Sequence, residues 1–452
     1  MMKHRLYIYI IMCGLVGLLT GSCIKDEALG YETFDVAVQM QNPVTGEGMQ
    51  GIPVVMSTTL GNAWQANTDG SGWARFTLPA GLYDLTASGQ YTDAEGQEYV
   101  MNCSASNIKV NATSPVVGQG MVLPMVASRR GSLIIKELYQ GGCQKDDGSG
   151  AYYFDKYVVL YNNGQLPLTI GQLGLGMVPP YNAHANNGNF DAEGRLTYAG
   201  QGFIPAIQAI WHFNDTLRLE GGEEVVIALN GAVDHTVSYS NSVNLGRAEY
   251  YCTYDPLTFT NTSYYPVPSE LIPADHYLTA AFYGQGNAWP LSQLDPAFFI
   301  FAIPDGVDID AYANDAGNIW YHNNVVSPSG ACLRIPTDWI IDGVEMYSTV
   351  STKNAKRLTD EVDAGAVYLT NTFGYSVHRN VDVAATKAIA GNEERLVYGL
   401  KATPDASQGV VPADPSGIHA EASARQGAII IYQDTNNSSN DFFERYQATL
   451  RD

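Results

Sequence analysis

Long apolar runs are almost absent from this chain. The one exception, Leu6 to Leu19, sits at the start behind the cations Lys3 and Arg5. Even that run is shorter than the ~20 residues a helix needs to span a bilayer. Basic residues are scarce as well. The chain holds 24 Lys and Arg against 46 Asp and Glu, a net charge of −22, so it repels phosphate backbones and nucleic acid is excluded as a partner. No long stretch repeats with helical period, which argues against a helical core. Catalytic signatures are missing too. There is no G-x-S-x-G, no H-E-x-x-H and no G-x-x-x-x-G-K-[ST], and no two histidines stand three or four residues apart.

What is present begins with the N-terminus, MMKHRLYIYIIMCGLVGLLTGSC. A cationic segment, an apolar segment and the small residues Thr20, Gly21 and Ser22 precede Cys23. This is the layout of an export signal over residues 1–22. A cysteine directly after small residues is the bacterial lipobox pattern, in which Cys23 is acylated and becomes the new N-terminus. Several acyl chains, each contributing about 0.8 kcal/mol per buried methylene, anchor a protein stably. Loss of Lys3 and Arg5 with residues 1–22 takes the charge from −22 to about −24. Lys25, Asp26 and Glu27 follow in a tether, residues 23–30. They resemble the short charged tag with which Bacteroidota lipoproteins are exported to the outer leaflet. The expected location is therefore the outer membrane, lipid-anchored and exposed at the cell surface.

The body carries short β-branched or aromatic runs such as Leu133-Ile134-Ile135, Tyr157-Val158-Val159-Leu160, Val225-Val226-Ile227-Ala228 and Ile429-Ile430-Ile431-Tyr432. Glycine, asparagine and aspartate separate them, which is the signature of an all-β chain. Of the six cysteines, Cys13 leaves with the signal and Cys23 is lipidated. Cys103, Cys143, Cys252 and Cys332 are widely spaced and contain no CxxC pair, so a metal knuckle is not expected. Export permits disulfides among them, and free buried thiols are equally compatible with the sequence.

Residues 31–126 alternate as strands should. Phe34 to Val38 and Gly51 to Met56 are followed by Thr68-Asp69-Gly70-Ser71-Gly72, whose residues tolerate turn geometry. Thr68, Asp69, Gly72, Phe76, Pro79, Gly81 and Tyr83 fit the order of strand, T-D-x-x-G, strand, P-x-G-x-Y and strand. The segment resembles carboxypeptidase-regulatory-like or transthyretin-like β-sandwiches with an immunoglobulin-like build. Asp69 is expected to serve the turn and not to bind calcium. Val126 to Arg130 is expected to be a short joint.

A second unit spans residues 131–452. Glu137, Asp155, Tyr157, Tyr161, Asn162 and Leu168 fit the opening pattern of lamin-tail domains, which are small immunoglobulin-like sandwiches. Val159-Leu160 departs from that pattern where the family usually carries a glutamate. Residues 217–229 resemble a later strand, with Gly221-Gly222 in place of proline-glycine. Together with SVHRN (376–380) and YQDTNNSSNDFF (432–443), these features resemble a Bacteroidota surface lipoprotein family of unknown function, domain of unknown function 4876. The resemblance implies location and architecture but no reaction. It leaves a loop-rich insert over about residues 176–375. Loops that long are uncommon without a use, and this one is rich in tyrosine, tryptophan, asparagine and proline. Tyr181, Trp211, Tyr264, Tyr265, Trp289 and Trp320 are the expected ligand contacts, because aromatics beside amides line binding surfaces. The first sandwich is not expected to bind, since Trp73, Phe76 and Tyr83 stand at core spacing.

No catalytic residue, cofactor or metal is expected. Asp305, Asp308, Asp310 and Asp315 bunch as calcium ligands can, but without the alternate-position spacing of an EF-hand loop. The functional expectation is a non-enzymatic module that binds a small molecule or glycan. It would act beside an outer-membrane transporter in uptake of a nutrient or metal complex. A structural or adhesive surface protein is the alternative, and a hydrolase a third reading. Replacing Cys23 with alanine should move the protein from the membrane to the soluble fraction. Detergent phase partitioning measures this, and unchanged partitioning would rule out the lipid anchor.

Overall fold

The computed structural model describes residues 32–451 except 44, 59–61, 93–97, 130–131, 192–193, 352 and 400–413. The signal, Cys23 and the Lys25-Asp26-Glu27 triplet lie outside the described residues. The chain is all-β, as its composition implies. The strand Thr33–Gln41 points Val36, Val38 and Met40 inward in strict alternation. It pairs antiparallel with Trp73–Pro79 and parallel with Met121–Pro124. A five-stranded sheet faces this one, in the order Ala63–Asn67, Pro53–Ser57, Gly81–Thr92, Glu98–Val110 and Val126–Arg129. The two sheets close on one apolar core that includes Val54, Phe76, Tyr83, Leu85 and Met101. The Tyr83 hydroxyl donates to the Pro79 carbonyl at 2.8 Å and fixes the corner between two strands. Asp69 serves its turn, accepting from the Ser71 and Trp73 amides at 2.9 and 3.0 Å. Val126–Arg129, expected as a joint, is instead the last strand of the larger sheet, antiparallel to Tyr99–Asn102.

The second unit is built on a twelve-stranded sheet. Its spatial order is Val367–Leu369, Ile340–Ser348, Ala297–Ile303, Gln172–Met177, Ala209–His212, Tyr277–Phe282, Tyr251–Thr253, Glu224–Ala228, Tyr157–Asn162, Leu133–Tyr139, Ser376–Arg379 and Phe442–Arg445. Leu133–Tyr139 and Tyr157–Asn162 are buried at every position, so their apolar residues face both sides of the sheet and even Lys136 and Glu137 are enclosed. The loop-rich stretch 176–375 is not separate from this sheet. Its segments supply seven strands of this sheet, from Ala209–His212 through Val367–Leu369. Of these, only Glu224–Ala228 was expected as a strand; the others escaped notice because most are short and pair with distant partners. Gly174 and Gly176 show how tightly these segments pack. A Cβ on either would fall 2.2 or 2.4 Å from the ring of Phe301 or Phe299, so only glycine lets those rings lie on the backbone.

Two buried arginines lock the curled sheet. Arg357 donates to Glu345 Oε1 from Nε at 2.9 Å and from Nη2 at 2.7 Å, and also to the Pro180 and Asp295 carbonyls. Arg379 donates to Asp342 Oδ2 at 2.5 Å, Asp434 Oδ1 at 3.3 Å and the carbonyls of Ile135 and Gln433. Asp441 lies 3.5 Å from the same guanidinium. One cation thus faces three buried carboxylates.

Burial pushes Asp342 up to about 7 and Asp441 up to about 6, against the pull of Arg379. Both values lie above the ordinary range, so the folded state binds these protons more tightly than the unfolded chain. Their contribution to stability is full below about pH 4 and is lost as pH rises through 6 to 7. The urea midpoint should accordingly contain a fall between pH 5 and pH 8 that is smaller in Asp342→Asn, which mimics the protonated side chain. An equal fall in the variant would remove Asp342 as its source.

Candidate functional site

The strands Ala209–His212, Tyr277–Phe282 and Tyr251–Thr253 lie side by side. At one end they leave a cleft of about 100 Å³. Its wall is a stack: the Tyr251 and His276 rings lie 4.0 Å apart at 13°. Phe213 packs 4.9 Å from Tyr251. The short helical turn Ala274–His276 delivers the imidazole. Its Nδ1 lies 3.0 Å from the Tyr250 carbonyl. A carbonyl only accepts, so Nδ1 carries a proton and donates it to this bond. Asn214 clamps the opposite turn by donating to the Tyr277 carbonyl at 3.1 Å and accepting from the Thr279 hydroxyl at 2.8 Å.

Asp215 and Asp275 stand exposed at the rim. Burial, with the charges of Asp275 and Asp215 added, raises the Tyr251 phenol above its usual pKa, so it remains a donor at neutral pH. The cleft therefore offers flat aromatic faces, hydroxyls and several acceptors. That chemistry suits a small ligand presenting an ammonium or guanidinium head, through charge and cation–π attraction.

The aromatics expected as ligand contacts lie elsewhere. Trp211 and Trp289 are fully buried and Tyr265 nearly so, all within the main core. The Trp289 indole donates to the Ala209 carbonyl at 3.1 Å, and Trp211 packs 5.4 Å from Phe259 and 5.8 Å from Tyr265. Tyr181, Tyr264 and Trp320 are partly buried against the same core. Tyr181 donates to Gln208 at 3.2 Å, Tyr264 meets Phe154 edge-on, and Trp320 meets Tyr198. The broken period around these residues marks short strands and packed loops, not a binding surface.

Phe213 and Tyr251, which line the cleft, were not among the expected contacts, although they lie in the same aromatic-rich part of the chain. IQAIWHF contains Phe213, and EYYCTYDP contains Tyr251. No sequence signal separates these aromatics from their buried neighbours. The clustered aspartates also have structural work. Asp308 accepts from the Asp310 and Ala311 amides and Asp315 from the Gly317 amide, each capping a helical turn. Asp305 and Asp310 join no metal site: among the described residues no three His, Cys, Asp or Glu side chains converge to hold an ion.

Two constellations of catalytic residue types do form. Cys143, Asp155 and His235 belong to one buried network. Asp155 accepts from Tyr139 at 3.0 Å and from Ser242 at 2.6 Å. His235 Nε2 lies 2.5 Å from the Gly231 carbonyl and Nδ1 lies 2.8 Å from the Tyr152 hydroxyl, so both ring nitrogens are engaged. Burial pushes the Cys143 thiol up to about 12, leaving almost no thiolate at neutral pH. His184 Nδ1 lies 2.5 Å from Asp295, whose carboxylate is fully buried. This pair opens onto neither the Tyr251 cleft nor the groove described below. Cys103, Cys143, Cys252 and Cys332 are all free and buried, which resolves the disulfide question left open by sequence.

The fold is thus that of a two-part all-β protein with a small surface cleft. Residues 220–393 match the family described as protein of unknown function (DUF4876), which supports the resemblance drawn from the motifs. The structure is similar to the crystal structure of a DUF4876 family protein from Bacteroides thetaiotaomicron, at 20% identity and a TM-score of 0.52. That similarity covers 93% of this chain and 97% of the other, and it establishes a shared fold. A DUF3823 family protein from Parabacteroides merdae aligns over 32% of this chain and 66% of its own, at 8% identity and a TM-score of 0.15. Fervidolysin from Fervidobacterium pennivorans, a keratinolytic enzyme related to subtilisin, aligns over 42% and 30%, at 14% identity and a TM-score of 0.16. These two scores support no argument about this chain. Comparison with curated proteins found no match.

Truncating Trp211 or Trp289 to alanine should cost about 3–5 kcal/mol of stability, as for other buried aromatics. Chemical denaturation checks this, and wild-type stability in either variant would place that indole outside the core.

Proposed function

We propose that this chain is a surface-exposed outer-membrane lipoprotein that binds a small ligand without transforming it, as an accessory to an outer-membrane transporter taking up a nutrient or metal complex. The Tyr251–His276 cleft carries the binding part of this reading. It combines a fixed aromatic stack with two solvent-facing carboxylates, Asp215 and Asp275. The lipobox at Cys23 and the Lys25-Asp26-Glu27 tag support the location. The transporter link rests on the resemblance to surface lipoproteins. Supporting a binding role over hydrolysis, the Cys143 thiol is held protonated and both nitrogens of His235 are occupied.

A thermal-shift screen of residues 24–452 against amines, sugars, haem, siderophores and metals tests the reading. A hit should then weaken about tenfold or more, about 1.4 kcal/mol, in Tyr251→Ala and Asp275→Asn, with circular dichroism unchanged. A hit that binds both variants normally would remove the cleft as its site.

A further inference from the structure

A second hollow lies on the first sandwich, where the sequence predicted only core. The outer face of its smaller sheet runs in cross-strand rows. Asp35 faces Thr77, Ala37 faces Arg75 and Gln39 faces Trp73. Phe76 turns inward, but Trp73 shares the outward face with Arg75 and is only half-buried. Ala37, small and central, leaves a groove of about 510 Å³ between this strand and the loop at Gly118–Gly120. Gly120 has φ +77°, and a Cβ there would lie 2.7 Å from the Trp73 ring. Glycine at this point is what allows the indole to form the groove wall.

The lining is chemically mixed. Trp73 supplies a flat apolar face. Arg75 donates, Gln119 donates and accepts, and Asp35 accepts, already holding the Thr77 hydroxyl at 2.9 Å. The groove has no net charge, since Arg75 is matched by Asp35. Arg75 also lies in the field of Asp69, whose carboxyl is held below its usual range by the Trp73 and Ser71 amides with help from Arg75. A cationic ligand meets a guanidinium here, and an anionic one meets compensated charge on an acidic protein. A neutral ligand with an apolar face and a hydroxyl-bearing edge fits both features. We infer that this groove binds a neutral pyranose oligosaccharide, one ring stacked on Trp73 with its hydroxyls shared among Arg75, Gln119 and Asp35. The hollow is open and wider than one ring requires, so it accommodates an internal stretch of a glycan chain as readily as an end.

Isothermal titration of the chain with neutral gluco-, galacto-, manno- and xylo-hexaoses tests this inference. At least one hexaose should bind in the micromolar to millimolar range and quench tryptophan fluorescence. Trp73→Ala should weaken that binding at least tenfold, while Trp73→Phe keeps most of it. Arg75→Ala with Gln119→Ala, both at exposed positions that leave folding intact, should weaken it as well. Tyr251→Ala should not change it, which separates this groove from the proposed cleft. Failure of every hexaose to bind at millimolar concentration overturns the inference. So does hexaose binding that survives both Trp73→Ala and the double variant, or preferential binding of charged oligosaccharides.

Discussion

The guanidinium of Arg379 is the constraint on which most of the architecture depends. It sits on Ser376–Arg379, beside Leu133–Tyr139 in the large sheet, and reaches strands that lie far away in sheet order. Asp342, from the other end of the sheet, accepts from Arg379 and from the Ile135 amide at 2.6 Å with the same oxygen. That shared oxygen holds the curled sheet onto itself. Arg379 also donates to the Gln433 carbonyl and Asp434, which seats the C-terminal segment. The seated segment then receives the first sandwich: Asn102 donates its side-chain amide to the Thr435 carbonyl at 2.6 Å. Ser104 adds hydrogen bonds to Asp360. Sheet closure, the C-terminus and the position of the first sandwich therefore share one buried cation. Buried ion pairs give little net stability against an apolar substitute, but breaking one leaves charge stranded at a cost of about 3–5 kcal/mol. With three carboxylates around one arginine, the stranded charge would be unusually large.

The motifs SVHRN and YQDTNNSSNDFF gain a physical meaning from this arrangement. Arg379 comes from the first and Asp434 and Asp441 from the second, so two segments singled out by resemblance meet at one site. The first sandwich was legible because its alternation is local: Val36, Val38 and Met40 point inward, and Asp69 and Tyr83 hold turns within their own neighbourhood. The strands Leu133–Tyr139 and Tyr157–Asn162 were legible as apolar runs. Glu224–Ala228 was legible in the same way, but most of the large sheet was not, because strands as short as Tyr251–Thr253 gain their identity only from partners such as Ile227 and Tyr277, 24 and 25 residues away. The cleft was obscured for the same reason. Trp211 and Phe213 share core spacing and both are buried, and only the fold shows Phe213 backing Tyr251 at the cleft.

Burial here repeatedly removes reactivity from residues that resemble catalytic groups. Cys143, His235 and Asp155 meet, but desolvation keeps the thiol protonated and hydrogen bonds occupy the imidazole. Glu421 shows the opposite balance. Burial alone would raise its pKa, yet His378, His419 and Lys136 around it outweigh that and hold it well below the usual range. Arg445 donates to it at 2.8 Å. These groups are spent on holding the C-terminal helix Ala420–Arg425 against the sheet. A list of titratable residues would rank them as sites, whereas their partners identify them as fastenings.

What stays unspent is on the surface, and it divides by charge. Asp215 and Asp275 face the Tyr251 cleft in a chain whose net charge is −22, so the general field and the local carboxylates both favour a cation there. Such attraction reaches about 8 Å at physiological ionic strength, far enough to concentrate a small cationic ligand at the mouth. The Trp73 groove instead balances Arg75 against Asp35, and the field of the chain does little to a neutral ligand. Selection there must come from shape and from the direction of its hydrogen bonds. Two clefts on one chain can therefore discriminate by different physics without competing for the same ligand.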